Sequence, residues 1–204
     1  MRNVRLGSTH GGTLVEVLAS TVLISILAAM AYDFARAALM SVRVQDAKSE
    51  VQEAAVMASD ILGRELRLAG FSAVAQPLPA VLDAEAEAVE IASDLNGDGD
   101  SADAHEQIAY RYDPAGQQLT RATAGGSPQP FVSDIPPGGM RFVFYDASGA
   151  EMVPGVSGLG AADRRRIRAI GWRIRVQVPN PDPRAAALLT ATVAGSVCLR
   201  NPSG

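Results

Sequence analysis

No proline occurs before Pro77, although the chain contains 12, so nothing of that kind forces an early helix to stop. Within this stretch the apolar pattern changes once. Leu14–Tyr32 is apolar all round apart from Glu16 and the small hydroxyls Ser20, Thr21 and Ser25. About 20 such residues, at ~1.5 Å rise each, cross a ~30 Å hydrocarbon core. Residues 1–11 carry Arg2 and Arg5 and no acid, so the basic end is expected in the cytoplasm and the rest is expected to be exported. Beyond Tyr32 the apolar residues thin to Val44, Ala47, Val51, Ala55, Ala58, Leu62, Leu66 and Ala69, at spacings of three and four. That period makes one helical face. Asp60 and Arg64 stand acid-first at i,i+4, Gly63 weakens the helix by about 1 kcal/mol against alanine, and Gly70 is placed to cap its end. A helix from Thr13 to Ala69 would be roughly 85 Å long. Its second half is expected to lay its small apolar face on a sheet, which suits small residues better than a coiled coil does.

After Gly70 the period becomes two. Ile108, Tyr110 and Tyr112 alternate with Ala109 and Arg111, and Asp113-Pro114-Ala115-Gly116 turns the chain toward Leu119. Met140, Phe142 and Phe144 form the next strand, ending at Asp146-Ala147-Ser148-Gly149. Ile170, Trp172, Ile174, Val176 and Val178 form the clearest, backed by Gly171, Arg173, Arg175 and Gln177, and a last strand runs from about Leu188 to Leu199. Short turns and alternation predict an antiparallel sheet with one dry face for the helix to cover. The fold class is therefore α+β.

Glu16 is the anomaly in the apolar run, since a carboxylate in mid-bilayer costs roughly 2.5–3.5 kcal/mol even on the gentler scales. An ordinary signal peptide, for which Ala29-Met30-Ala31 supplies a cleavage site, gains nothing from it, and neither does a plain anchor. The run "GGTLVE", residues 11–16, resembles the signal of type IV prepilins and type II secretion pseudopilins. That resemblance implies a leader over 1–11, cleavage after Gly11, and Gly12 as a new, N-methylated terminus, with Gly12 standing where phenylalanine is usual. It also implies that Glu16 pairs with the free amine of a neighbouring subunit, which physically satisfies a carboxylate in low dielectric. "ILGRELRLAGF", residues 61–71, with Glu65, Leu66, Arg67, Ala69, Gly70 and Phe71, is similar to the helix end of PilW-like minor pilins, as is the closing "SVCLRN" at 196–201.

The resemblance implies a pilin-like chain. Residues 1–11 would be the leader, 12–33 a transmembrane or filament-core helix, 34–70 its amphipathic continuation, and 71–204 an exported β-rich domain. The protein would sit in the inner membrane with its N-terminus cytoplasmic and its domain periplasmic. It would be processed by a prepilin peptidase and assemble with other pilins in a type IV pilus. A type II secretion pseudopilin is the alternative within the class. A secreted or membrane-anchored calcium-dependent binding domain is the alternative outside it.

"SDLNGDGDSADAHE", residues 93–106, repeats oxygen-bearing side chains at Asp94, Asn96, Asp98 and Asp100, with Gly97 and Gly99 between the later ones. Such oxygen density suits Ca²⁺. The start matches an EF-hand loop, but position twelve is His105, Glu106 falls one residue late, and the flanks "AVEIA" and "EQIAYRY" read as strands. Two readings stay open: a solvated turn built on Asn-Gly and Asp-Gly, or a hairpin loop over 94–106. The second would hold one structural Ca²⁺ through Asp94, Asn96, Asp98, Asp100 and either Asp103 or Glu106. No other cofactor is required.

The net charge of −4 gives no general affinity for nucleic acid, and none is expected as a partner. Arg164, Arg165, Arg166 and Arg168 read as a solvated loop entering a strand, or else as a DNA- or partner-binding patch. The lone Cys198 excludes an internal disulfide and is expected in the core; His105 reads as a bystander. No nucleophile–base pair, phosphate loop or redox motif suggests an enzyme.

Overall fold

The computed structural model describes residues 13–72, 74 and 78–199. Helix α1 spans Leu14–Leu66. The chain divides into two compact units, one ending at Gln45 and one beginning at Asp46.

In the first unit every described residue up to Leu39 is exposed. The helix is held there by its own ladder. Ser20, Thr21 and Ser25 donate their hydroxyls to the carbonyls of Glu16, Val17 and Thr21 at 2.7–2.8 Å, so these polar side chains are satisfied within the helix.

The second unit contains the rest of α1 and two antiparallel sheets. Strands β1 (Val81–Ala84), β2 (Ala88–Ala92), β3 (Gln107–Asp113), β4 (Gln118–Thr123) and β5 (Gln129–Val132) form a meander in sequence order. Strands β6 (Met140–Tyr145), β7 (Glu151–Met152), β8 (Ala169–Pro179) and β9 (Leu188–Cys198) form the second sheet, in the order β7-β6-β8-β9. The sequence predicts one sheet; the structure has two. Each strand's alternation reports which face is dry but not which sheet it joins. The sheets meet where the Phe142 N–H donates to the Ala86 carbonyl at 2.8 Å. A one-turn helix α2 (Ala161–Arg164) precedes β8.

The turns follow the predicted chemistry. The Asp113 carboxylate accepts the Ala115 N–H at 3.0 Å between β3 and β4. Asp146 accepts the Ser148 N–H at 2.8 Å and the Ser148 hydroxyl at 2.6 Å between β6 and β7, where Gly149 has φ +80°. Pro130 lies on β5, an edge strand, where its missing N–H interrupts no central ladder.

The core lies between α1 and the sheets. On the helix Ala47 is half-buried and Val51, Ala55, Ala58, Leu62 and Leu66 are buried, as is Ala69 just beyond its end, which is the face the three–four spacing predicts. They meet Ile108, Tyr110 and Tyr112, then Met140, Phe142 and Phe144, then Ile170, Trp172, Ile174 and Val176 in one apolar cluster. Burying each large side chain is worth about 1.5–3 kcal/mol. Beyond Leu66 the coil tightens into i→i+3 turns. Gly70, at φ +73°, then swings the chain so that its N–H meets the Ala92 carbonyl at 2.8 Å. The expected cap residue is therefore in place, a turn after the regular helix ends.

Trp172 explains Gly63. A Cβ at Gly63 would lie 3.0 Å from the indole Cη2, and a Cβ at Gly195, its partner across β8 and β9, would lie 2.4 Å from Cζ2. The two glycines form a slot for the ring, and the indole N–H donates to Ser59 Oγ at 2.9 Å. One sequence expectation fails in this sheet. Cys198 is exposed, because Val197 and Leu199 take the inward positions and strict alternation turns Cys198 outward.

Candidate functional site

Two places in the chain carry chemistry that folding alone does not consume. The first is the start of α1. Thr13 precedes the helix and Glu16 is three residues on, the spacing of a capping box. The Glu16 N–H donates to the Thr13 carbonyl at 2.9 Å and to Thr13 Oγ1 at 3.3 Å. The Glu16 carboxylate sits in the first turn, where the helix macrodipole favours an anion by roughly 0.3–1 kcal/mol. Part of the cost of a carboxylate in this apolar run is thus met by its own helix. The side chains around it, Leu14, Val15, Val17 and Leu18, are 58–78% exposed. The start of α1 is long and apolar enough to cross a membrane, and none of its described residues up to Leu39 is buried. Gly11 and Gly12 lie outside the described residues.

The second is the loop between β2 and β3. Its neck is closed by the Ser93 N–H, which donates to the Glu106 carbonyl at 2.8 Å. The Asp94 N–H donates to Phe71 O at 2.7 Å, which fastens the loop to the chain leaving α1. Asp94 is fully buried. Its Oδ1 accepts the Gly97 N–H at 2.6 Å and its Oδ2 accepts the Ser72 hydroxyl at 3.0 Å, so it organises the loop from beneath. Asn96 ties the rim. Its amide donates to Asp98 at 3.0 Å and to Asp103 at 2.7 Å, and its Oδ1 accepts the Asp98 N–H at 2.9 Å. Gly97 and Gly99 take φ +81° and +93°, as their place between the acids requires.

Three carboxylates converge: one oxygen from each of Asp98, Asp100 and Glu106 lies within 4.8 Å of the others. Asp98 and Asp100 are exposed, whereas Glu106 is 2% exposed. Glu106 Oε1 accepts the N–H groups of Leu95 at 2.8 Å and Asn96 at 3.2 Å. Its Oε2 is buried and has no hydrogen-bond partner among the described residues. The one-residue delay relative to an EF-hand is taken up at His105, which adopts φ +74° immediately before Glu106. The charges interact. The Asp100 N–H, then the Asn96 amide, hold the Asp98 carboxyl below its usual range, and the Asp98 charge pushes that of Asp103 up.

The sequence misses a third cluster. Glu65, near the end of α1, accepts three hydrogen bonds from the Arg121 guanidinium of β4 at 2.9–3.2 Å and one from the Tyr110 hydroxyl of β3 at 2.5 Å. Tyr110 also packs edge-to-face on Phe131, with ring centroids 5.1 Å apart. Burial first, then the hydrogen bond and charge of Glu65, push the Tyr110 phenol well above its ordinary value. This cluster joins helix to sheet. The arginines of 164–168 are engaged locally. Arg164 donates to Leu159 O at 2.8 Å, Arg166 pairs with Asp146 at 3.4 Å and Asp163 at 3.3 Å, and Arg168 donates to Arg165 O at 2.8 Å.

No protein-family model matches the chain, and no curated protein does. Among solved structures, a type IV-like pilin from Thermus thermophilus is similar, with a TM-score of 0.45 and 13% identity over 74% of this chain and 98% of that one.

Proposed function

We propose that this chain is a structural subunit of a type IV pilin-like filament, assembled through the first part of α1. The observation that carries the reading is the exposed, apolar start of that helix, whose lone acid through Tyr32, Glu16, stands in its first turn. An apolar surface of that extent needs lipid or other helices to cover it. A carboxylate at that place gains from a cationic amine brought by a neighbour. In this reading the leader 1–11 is removed after Gly11 by a prepilin peptidase. The Gly12 amine is methylated and pairs with Glu16 of an adjacent subunit. The protein waits in the inner membrane with residues 71–204 in the periplasm. Its finer role is that of a PilW-like minor pilin that primes or joins a pilus. A type II secretion pseudopilin would use the same parts.

The test is the mature N-terminus, read by mass spectrometry from cells that contain the peptidase. A chain starting at Gly12 is expected. A chain starting at Tyr32 would mean ordinary signal-peptide cleavage, which discards Glu16 and leaves a calcium-dependent exported domain as the reading. Glu16→Ala is expected to insert in the membrane at the wild-type level and to be absent from sheared filaments. Wild-type incorporation of that variant would remove Glu16 from assembly.

A further inference from the structure

We infer that the β2–β3 loop is a single-cation site built for Ca²⁺, with Glu106 as its buried anchor and Asp98 and Asp100 as its outer ligands. The inference does not rest on the filament reading.

The first observation is convergence. Ca²⁺ binds oxygen at about 2.3–2.6 Å, so ligand oxygens on opposite sides of one ion stand roughly 4.6–5.2 Å apart. The oxygens of Asp98, Asp100 and Glu106, all within 4.8 Å of one another, fit around one such ion. Mg²⁺, with strict octahedral demands and a reluctance to shed its waters, is less suited to an irregular loop of carboxylates.

The second observation is independent of the acid count. Glu106 is 98% buried, and its Oε2 has no hydrogen-bond partner among the described residues. A buried polar atom left unpaired costs about 1–3 kcal/mol, and more when charged. The other oxygen, Oε1, is fixed by two backbone N–H groups, so the carboxylate cannot rotate to satisfy Oε2 without abandoning them. An ion that Oε2 ligates would remove that deficit.

The other acidic and amide groups hold the loop. Asp94 is occupied at both oxygens by Gly97 and Ser72, and Asn96 links Asp98 to Asp103. The neck is pinned by Ser93 to Glu106, just ahead of β3, and by Asp94 to Phe71 at the exit of α1. Binding would therefore stiffen the junction between helix and first sheet.

The experiment is calorimetric titration of the full chain in detergent with CaCl₂, and separately with MgCl₂, after EDTA treatment, accompanied by thermal melts. Wild type is expected to bind one Ca²⁺ in the range of extracellular modules, with Kd of order 10⁻⁴–10⁻³ M or tighter, and to melt higher with Ca²⁺ than with EDTA. The Asp98→Asn/Asp100→Asn variant changes only exposed side chains and is expected to keep the apo melting temperature. It should lose Ca²⁺ affinity by at least ~10-fold. Glu106→Gln is expected to lose the Ca²⁺ response as well. An absent response in wild type, or one unchanged in the Asn pair, overturns the site. An equal response to Mg²⁺ overturns the choice of ion.

Discussion

At the residue scale, two glycines decide how the single tryptophan packs. Gly195→Ala places a Cβ 2.4 Å from a ring with no room to turn. It is expected to destabilise the second unit by about 1–3 kcal/mol in denaturant unfolding. Gly63→Ala meets a softer contact at 3.0 Å and gains about 1 kcal/mol of helix propensity, so its net effect is expected to be smaller than that of Gly195→Ala. Tyr110 gives a pH prediction. Its phenol is raised above the ordinary value of 10.0 in the fold, so the neutral form is the favoured one there. That contribution is complete below the unfolded value and is lost as pH rises past it toward the folded value. Urea unfolding across this alkaline range is expected to show stability falling above about pH 10, with a shallower fall in Tyr110→Phe. Neither feature is legible in the sequence. Glu65 lies 45 positions from Tyr110 and 56 from Arg121, and no local pattern links them.

At the element scale, periodicity carries the information. The three–four spacing of α1 and the alternation of β3, β6 and β8 predict their buried faces, because each side chain's direction follows from the backbone repeat alone. Leu62 and Leu66 are completely buried on that face. Leu62→Ala is expected to cost about 2–5 kcal/mol by thermal or denaturant unfolding, and Val56→Ala, on the exposed side, close to nothing. What periodicity cannot supply is the partner of each strand, which is why the second sheet was not foreseen. It also gives no warning of His105. A histidine at φ +74° is set by the closure of the β2–β3 loop, and with it the inward turn of Glu106. The acid pattern of that loop was visible in the sequence. The burial of Glu106, two positions after Ala104 and next to a strand, was not.

At the scale of the molecule, every residue of the buried core among the described residues lies at or beyond Val51. The second unit therefore contains its own core, and a chain beginning at Asp46 is expected to fold in plain buffer and to unfold cooperatively. Far-ultraviolet circular dichroism and a single melting transition would check this. The full chain is expected to need detergent, because the side chains of Leu14–Leu39 are exposed. The slot between Gly63 and Gly195 has an optical consequence. The chain has one tryptophan, and its indole is buried, hydrogen-bonded to the helix and stacked between two elements that are far apart in sequence. Its emission is a native reporter of whether helix and sheet are joined. Separation of the two would redden the spectrum, in a micelle, a membrane or a filament, with no label attached.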